Sequence, residues 1–368
     1  MKFSIPSNVL LDIVQSVYPA VEKRGTLPIL NNILVKINED KLTMTATDLS
    51  VEITKTVDCG EGIVVATTGE TTIPAKKLYD ISKLIDGTVK VSNSKEKMTI
   101  SCGKSKFTLL STAAEDFPTW SFDNTAKNKI TVNAKDLTEA LRKVRHAIAV
   151  NDVRYYLNGV CFDLSGDNLN LVATDGHRLA IEQIPAQSDS PINVIVPANA
   201  VNYIINLLQK TDDDVIISCF NNGMLINKED TALSFKFVDG KFPDYNRVIP
   251  KSDSRRTVCT INKDETVKAV ARASLTLDSV TSGILLNFNG GECEITGSSN
   301  SESSEEIIDA DVKGEPVKIG LNAKYTLSAI ESIDGDSIII SFDGADCAAL
   351  LTTNNNPSSK RVVMSMRI

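Results

Sequence analysis

The stretch IPAKKLYDISKLIDGTVKV, residues 73–91, decides the fold because the chain writes it three times. It returns as VPANAVNYIINLLQKTDDDVIIS at 196–218 and as GLNAKYTLSAIESIDGDSIIIS at 320–341. Each copy sets apolar residues at steps of three and four, then a short polar turn, then an apolar run. That pattern reads as a helix burying one stripe, followed by a strand. Pro74 to Pro197 is 123 residues and Pro197 to Leu321 is 124, close to one third of the 368-residue chain. Self-similarity at a fixed period makes each copy one structural unit.

Other landmarks keep the same period. LTMTATDLSVEI at 42–53 matches LNLVATDGHRLAIEQI at 169–184, with Asp48 and Asp175 127 apart. The third copy, CEITGSSNSESSEEI at 293–307, keeps the layout without the Thr-Asp pair. Phe117-Pro118 and Phe242-Pro243 are 125 apart. Each repeat opens with an amphipathic helix: SNVLLDIVQSV, NAKDLTEALRKVRHAI and NKDETVKAVARA. In the last, Asn262 and Glu265 have the spacing of a capping box. Runs such as KITVN, TVKVS, MTISC and FTLLS alternate with period two and read as antiparallel strands. The fold class is α+β, with three equivalent repeats of two helices packed on antiparallel sheets. Polar stretches without periodicity place the repeats at 1–128, 129–254 and 255–368.

Composition narrows the function. Hydrophobic residues make 42% and charged residues 23%, which is ordinary for a soluble globular protein. No run approaches the ~20 apolar residues of a membrane span. Lys2 and Asp12 do not suit a signal peptide. Seven Cys without a CxxC pair read as reduced thiols of a cytoplasmic protein. Two His make a multi-histidine metal site improbable, and no metal is expected. The balance of 39 cations and 47 anions, −8, argues by itself against tight electrostatic binding of nucleic acid.

Catalytic motifs are thin. Within TDGHR at 174–178, Asp175 has the spacing to orient His177 as a general base. No Gly-x-Ser-x-Gly elbow accompanies it. No phosphate-binding glycine loop is present, so no nucleotide cofactor is expected. Recurrence of Asp48 and Asp175 at equivalent turns favours a turn role over a catalytic centre.

The strings TLPILNN (26–32), TDLSVE (47–52), DFPTW (116–120), RYYLNGV (154–160), LVATDGHRLA (171–180), FPDYNRV (242–248) and RVVMSMRI (361–368) resemble the bacterial DNA polymerase III beta subunits, the sliding clamps. The resemblance runs through the whole chain in order. It implies a non-catalytic processivity factor without cofactor, in which two chains close a ring whose helices line the hole. Twelve helices at about 9 Å between neighbouring axes enclose roughly 35 Å between axes; subtracting about 10 Å of helix thickness leaves room for a duplex.

In that ring, phosphate contacts independent of sequence fall to Lys76, Lys83, Arg142, Arg145, Lys268 and Arg272 on helices, to Arg24 before TLPIL, and to Tyr155 and Tyr156. The helix at 199–209 offers Asn202 and Asn206, and starts on Ala198 and Asn199 where the family often has basic residues, so contact from the second repeat stays open.

The resemblance further implies a hydrophobic cleft for short peptides of the replicative polymerase, the clamp loader and repair polymerases. Matching positions are Arg154, Leu157, Thr174, Gly176, His177, Arg178, Leu179, Pro243, Arg247, Val248, Val362, Val363, Met364, Ser365, Met366 and Arg367. Ser365 stands where the family commonly has Pro, and Ile368 where it has Leu, which implies a less rigid tail. The homodimer interface is expected to join repeat one to repeat three. Its candidates are Phe107 and Leu109 on an edge strand, Leu275 and Leu277 opposite, and Glu302, Glu305 and Glu306 facing Lys76, Lys77, Lys104 and Lys106. Two other readings stay open at this point: a monomeric peptide-binding scaffold that has lost ring closure, and an Asp/His hydrolase.

Overall fold

The computed structural model describes residues 1–22, 27–60, 62–94, 96–120, 122, 125–250, 256–278 and 282–367. Among the described residues, six α-helices lie where the repeated pattern puts them: α1 (Ser7–Val17), α2 (Ala75–Ser82), α3 (Ala134–Val144), α4 (Ala198–Leu208), α5 (Lys263–Ala273) and α6 (Ala323–Glu331). In α1 the buried Leu10, Ile13, Val14 and Val17 form one stripe. Burying each such side chain stabilises by about 1.5–3 kcal/mol. Asn133, Asn262 and Asn322 cap α3, α5 and α6, each side-chain oxygen accepting free N–H groups of the first turn. The Asn262 cap takes the Glu265 N–H at 3.0 Å, the expected half of the capping box.

The described residues gather into two compact units, Met1–Val132 with Asn202–Phe237, and Asn133–Val201 with Val238–Ile368. Each unit draws on two repeats because the sheets run across repeat borders. In the first unit, strand Thr231–Lys236 pairs antiparallel with Val51–Asp58, setting Thr231 opposite Lys55 and Phe235 opposite Val51. The same unit holds a five-stranded sheet in the order 64–67, 2–6, 88–94, 97–102, 105–110, so Ser105–Leu110 is an edge strand.

The second unit holds a twelve-stranded antiparallel sheet. At its middle, Arg178–Pro185 pairs with the C-terminal strand Lys360–Val363, Arg178 opposite Val363 and Ile181 opposite Lys360. Strand alternation then splits the tail. Val362 joins an apolar cluster with Leu157, Leu179, Ile181 and Phe242, whereas Val363 joins the third repeat's core with Ile340 and Leu351. Strand Ser303–Gly314 pairs along 303–309 with 292–298 and along 310–314 with 257–261. Over 303–309 its other edge has no partner strand among the described residues.

All seven cysteines are free and five are buried. Burial pushes the thiols of Cys161, Cys219 and Cys259 up to about 12, which leaves them protonated and inert.

Candidate peptide cleft and charged faces

The two Thr-Asp turns have one chemistry. Asp48 Oδ1 accepts the N–H groups of Ser50 and Val51, and Thr47 Oγ1 accepts the Leu49 N–H and donates to the Val51 carbonyl. Asp175 Oδ1 accepts the N–H groups of His177 and Arg178, and Thr174 Oγ1 accepts the Gly176 N–H and donates to the Arg178 carbonyl. The third turn residue is left-handed in both, Leu49 at φ 71° and Gly176 at φ 88°. Asp175 spends its other oxygen on Arg178 Nε at 3.0 Å. The carboxylate therefore shapes a turn and does not orient the imidazole, so the general-base pairing is absent.

Beside the second turn opens a cleft of about 250 Å³. Its lining includes Leu157, Leu179 and Val362, with Pro243, Tyr245 and Val248, and Arg154, Thr174, Gly176, Arg178 and Met364. Ten of the sixteen expected positions line it; Tyr156, Asp244 and Tyr245 are additions. Tyr156 was expected on DNA, and Asp244 and Tyr245 lie in the FPDYNRV string without an apolar period to mark them. The Tyr245 hydroxyl donates to Asp163 at 2.6 Å, and burial followed by that bond raises its pKa.

The rim is fixed by charge. Arg154 forks onto Asp152 at 3.0 and 2.8 Å and donates to the Asp175 carbonyl at 3.0 Å. These Arg154 bonds hold the Asp152 carboxyl down to about 2. Gly176 suits its positive φ, and a Cβ there would stand 2.8 Å from Arg154 Nη1, so a side chain at 176 would push that guanidinium aside. Arg178 lies 4.4 Å over the Tyr325 ring and donates to Ser328 Oγ at 2.7 Å. Apolar side chains beneath two anchored guanidinium groups suit a short peptide with apolar residues and carboxylate or carbonyl oxygens.

Six expected cleft residues lie off the lining. Val363 is a correction: it is fully buried in the third repeat's core, because the strand alternates. His177 stacks on Tyr325 at 6.2 Å, and its carbonyl accepts the Met364 N–H at 2.9 Å. Arg247 is exposed and pairs with Asp244 at 3.2 Å. Met366 is exposed, and its N–H donates to the Gly320 carbonyl; Arg367 is exposed. Ser365 donates to the Asp346 carbonyl at 2.8 Å, a tie that proline would lack. Ile368 lies outside the described residues.

Of the expected DNA-facing groups, Lys76, Lys83, Arg142, Arg145, Lys268 and Tyr155 are exposed and Tyr156 is half-buried. Lys83 lies 4.2 Å over the Tyr79 ring. Arg272 is also exposed, but its guanidinium forks onto Glu306 at 2.9 and 2.5 Å. Arg24 lies outside the described residues. Helices α1 and α4 carry no cation.

On the edge strand 105–110, Lys104 and Lys106 flank Ser105 and are exposed, and Phe107 is half-buried. Leu109 is a correction: at 8% exposure it faces inward, and Leu110, at 72%, is the outward leucine. A strand with adjacent leucines gives alternation no phase. Lys76, Lys77, Glu302 and Glu305 are exposed, while Leu277 packs half-buried against the core. Leu275 is 80% exposed and Ile307, not anticipated, 57%.

Three repeats of helices packed on antiparallel sheets, with an apolar cleft rimmed by anchored guanidinium groups, define the DNA-clamp class of fold. Comparison with known proteins agrees. The DNA polymerase III beta subunit family matches in three parts: its N-terminal domain at residues 1–121, central domain at 131–244 and C-terminal domain at 246–367. The beta sliding clamp of Vibrio cholerae is 32% identical over 374 residues, covering 100% of both chains. The crystal structure of the DNA polymerase III subunit beta from Pseudomonas aeruginosa superposes with a TM-score of 0.94 at 31% identity, covering 100% of both chains. The sliding clamp from Bacillus subtilis gives 0.94 at 26% identity, covering 100% of this chain and 99% of that one. The chain belongs to the DNA polymerase III beta subunit family. Its function is that family's: a non-catalytic processivity factor that encircles DNA and tethers a polymerase to it.

Proposed function

We propose that two copies of this chain close head-to-tail into a ring, the free edge of 105–110 in one pairing with 303–309 of the other. The register of the seams inside the chain carries this reading. Thr47 pairs with Glu52, Thr174 with Leu179 and Ser298 with Ser303, so Lys55, Glu182 and Glu306 are equivalent positions. Lys55 faces Thr231, and Glu182 follows Ile181, which faces Lys360. Thr231 and Ser105 each begin the second strand of a two-residue hairpin, Lys228 opposite Thr231 and Cys102 opposite Ser105. The same register in a second copy sets Ser105 opposite Glu306 and Lys106 opposite Glu305. Lys104, Lys76 and Lys77 add cations facing Glu302 and its neighbours, and Leu110, Leu275 and Ile307 supply apolar area.

In this reading the repeats divide at 1–128, 129–254 and 255–368. Lys76, Lys83, Arg142, Arg145 and Lys268, with Tyr155 and Tyr156, contact duplex DNA without reading its sequence. The cleft receives short peptides of the replicative polymerase, the clamp loader and repair polymerases, and the protein works in the cytoplasm. The topological tether is tested by loading the protein on closed circular DNA and cutting the circle. Sedimentation equilibrium is expected to give 2 × 39.9 kDa. Retention is expected to end on linearisation. A monomeric mass, or equal retention on both forms, overturns the ring.

A further inference from the structure

Both seams inside the chain hide a charge at the same strand position. Lys55 is 8% exposed and meets Asp12 at 2.7 Å and Asp230 at 3.4 Å. Glu182 is 3% exposed and meets Arg361, which is fully buried, at 2.5 Å. The second pair is the more elaborate. Arg361 Nε donates to Ser332 Oγ at 2.7 Å, and Nη2 donates to the Ser332 carbonyl at 3.0 Å. Its Nη1 donates to the carbonyls of Ile181 at 2.9 Å and Lys360 at 3.0 Å. Ser359 Oγ donates to Glu182 as well, at 2.5 Å.

One guanidinium therefore ties three elements: strand 178–185, the C-terminal strand, and the end of α6, where Ser332 is the C-cap. Two of these elements supply part of the cleft's lining, and the third holds one of its arginines. Strand 178–185 brings Arg178 and Leu179, the tail brings Val362 and Met364, and α6 brings the Tyr325 and Ser328 that hold Arg178. Arg361 touches none of the space a peptide would fill; alternation turns it to the face opposite Val362. A buried ion pair is a poor source of stability, since apolar residues of like volume often do as well. It does differ from them in being directional.

We propose that Arg361 and Glu182 are positioning residues of the peptide cleft. Their pair locks the tail's register and sets α6 against it, so that Arg178 is presented to a peptide in one orientation. The proposal rests on the peptide-binding reading of the cleft and is independent of ring closure.

The test uses the full chain and a fluorescein-labelled peptide spanning the clamp-binding segment of the organism's own replicative polymerase. Deleting residues 364–368 is expected to abolish binding; undiminished binding refutes the cleft reading itself. E182M/R361M is expected to keep the wild-type unfolding midpoint yet bind about tenfold more weakly, mostly through faster dissociation. In its ¹³C-methyl spectrum the Met364 resonance, which reports a side chain Arg361 does not touch, is expected to shift. S332A removes the bond from Arg361 Nε to Ser332 Oγ, together with the one Ser332 Oγ donates to the Ala329 carbonyl, and is expected to fold; a two- to threefold weakening is expected. Wild-type affinity in E182M/R361M with an unshifted Met364 resonance overturns the proposal. Should the double variant not fold, wild-type affinity in S332A does so.

Discussion

His146 offers a sharp test of the electrostatics behind the second seam. It follows α3, its Nδ1 is buried without a hydrogen-bond partner among the described residues, and the charges of Arg361 and Arg178 act on it. Burial first, then those cations, pull the imidazole from 6.5 to about 4, against the lesser opposition of a Lys143 backbone hydrogen bond and Asp175. Between these values the unfolded chain binds a proton that the folded chain refuses. Stability is therefore fully present above about pH 6.5 and is lost as pH falls toward 4. With 6.5 unfolded and about 4 folded, linkage removes about 2 kcal/mol between pH 7.5 and pH 5, and about 3.4 kcal/mol well below pH 4. Asp152, held near 2 by Arg154, does not titrate over the upper part of that window. Urea unfolding followed by far-ultraviolet circular dichroism at pH 7.5 and 5.0, on the wild type and on His146→Gln, reads the difference. The variant is expected to lose about 2 kcal/mol less than the wild type over that interval. An equal loss in both would refute the reasoning, because it would mean that the imidazole is protonated in the fold at no cost.

Two further outcomes follow from the placement of side chains. Deleting Met364 onward is expected to leave the protein dimeric, at twice the mass of the shortened chain by sedimentation, since Val363, the last core residue of the tail, is retained. Replacing Arg142 and Arg145 together by Ala is expected to lower the salt slope of DNA binding by about 1.8, two phosphate contacts at about 0.9 each, measured by anisotropy across a salt series. An unchanged slope would move both residues off the DNA.

Much of the fold is legible in the chain because it is local. The apolar stripes of the six helices need only a spacing of three and four. The Asn caps and the Thr-Asp turns need only residues within reach of their own backbone. What escapes is the phase of a strand and the partner of a charge. SKFTLL carries two adjacent leucines, and the sheet, not the pattern, decides that Leu110 faces out. RVVM likewise carries two valines, of which only Val362 reaches the cleft. Arg361 carries no sign of burial in the sequence, because Glu182 lies 179 residues away. Arg272 reads as a phosphate contact for the same reason, its carboxylate being 34 residues on, across a strand. The cleft itself was readable only through family resemblance, since no periodicity joins residues 154, 178, 243 and 362.

The half-paired strand 303–314 and the edge strand 105–110 are different surfaces. If one receives the other from a second copy, nothing in the contact limits how many copies join. Every added chain brings a fresh pair of ends. Assembly stops only when the last free end arrives in front of the first. The number of chains is then a question of bend and not of affinity. The same hydrogen bonds and ion pairs, with a few degrees less bend at each seam, would build a fibre. For such an assembly, what the seams fix in angle would decide between an object that closes and one that grows without end.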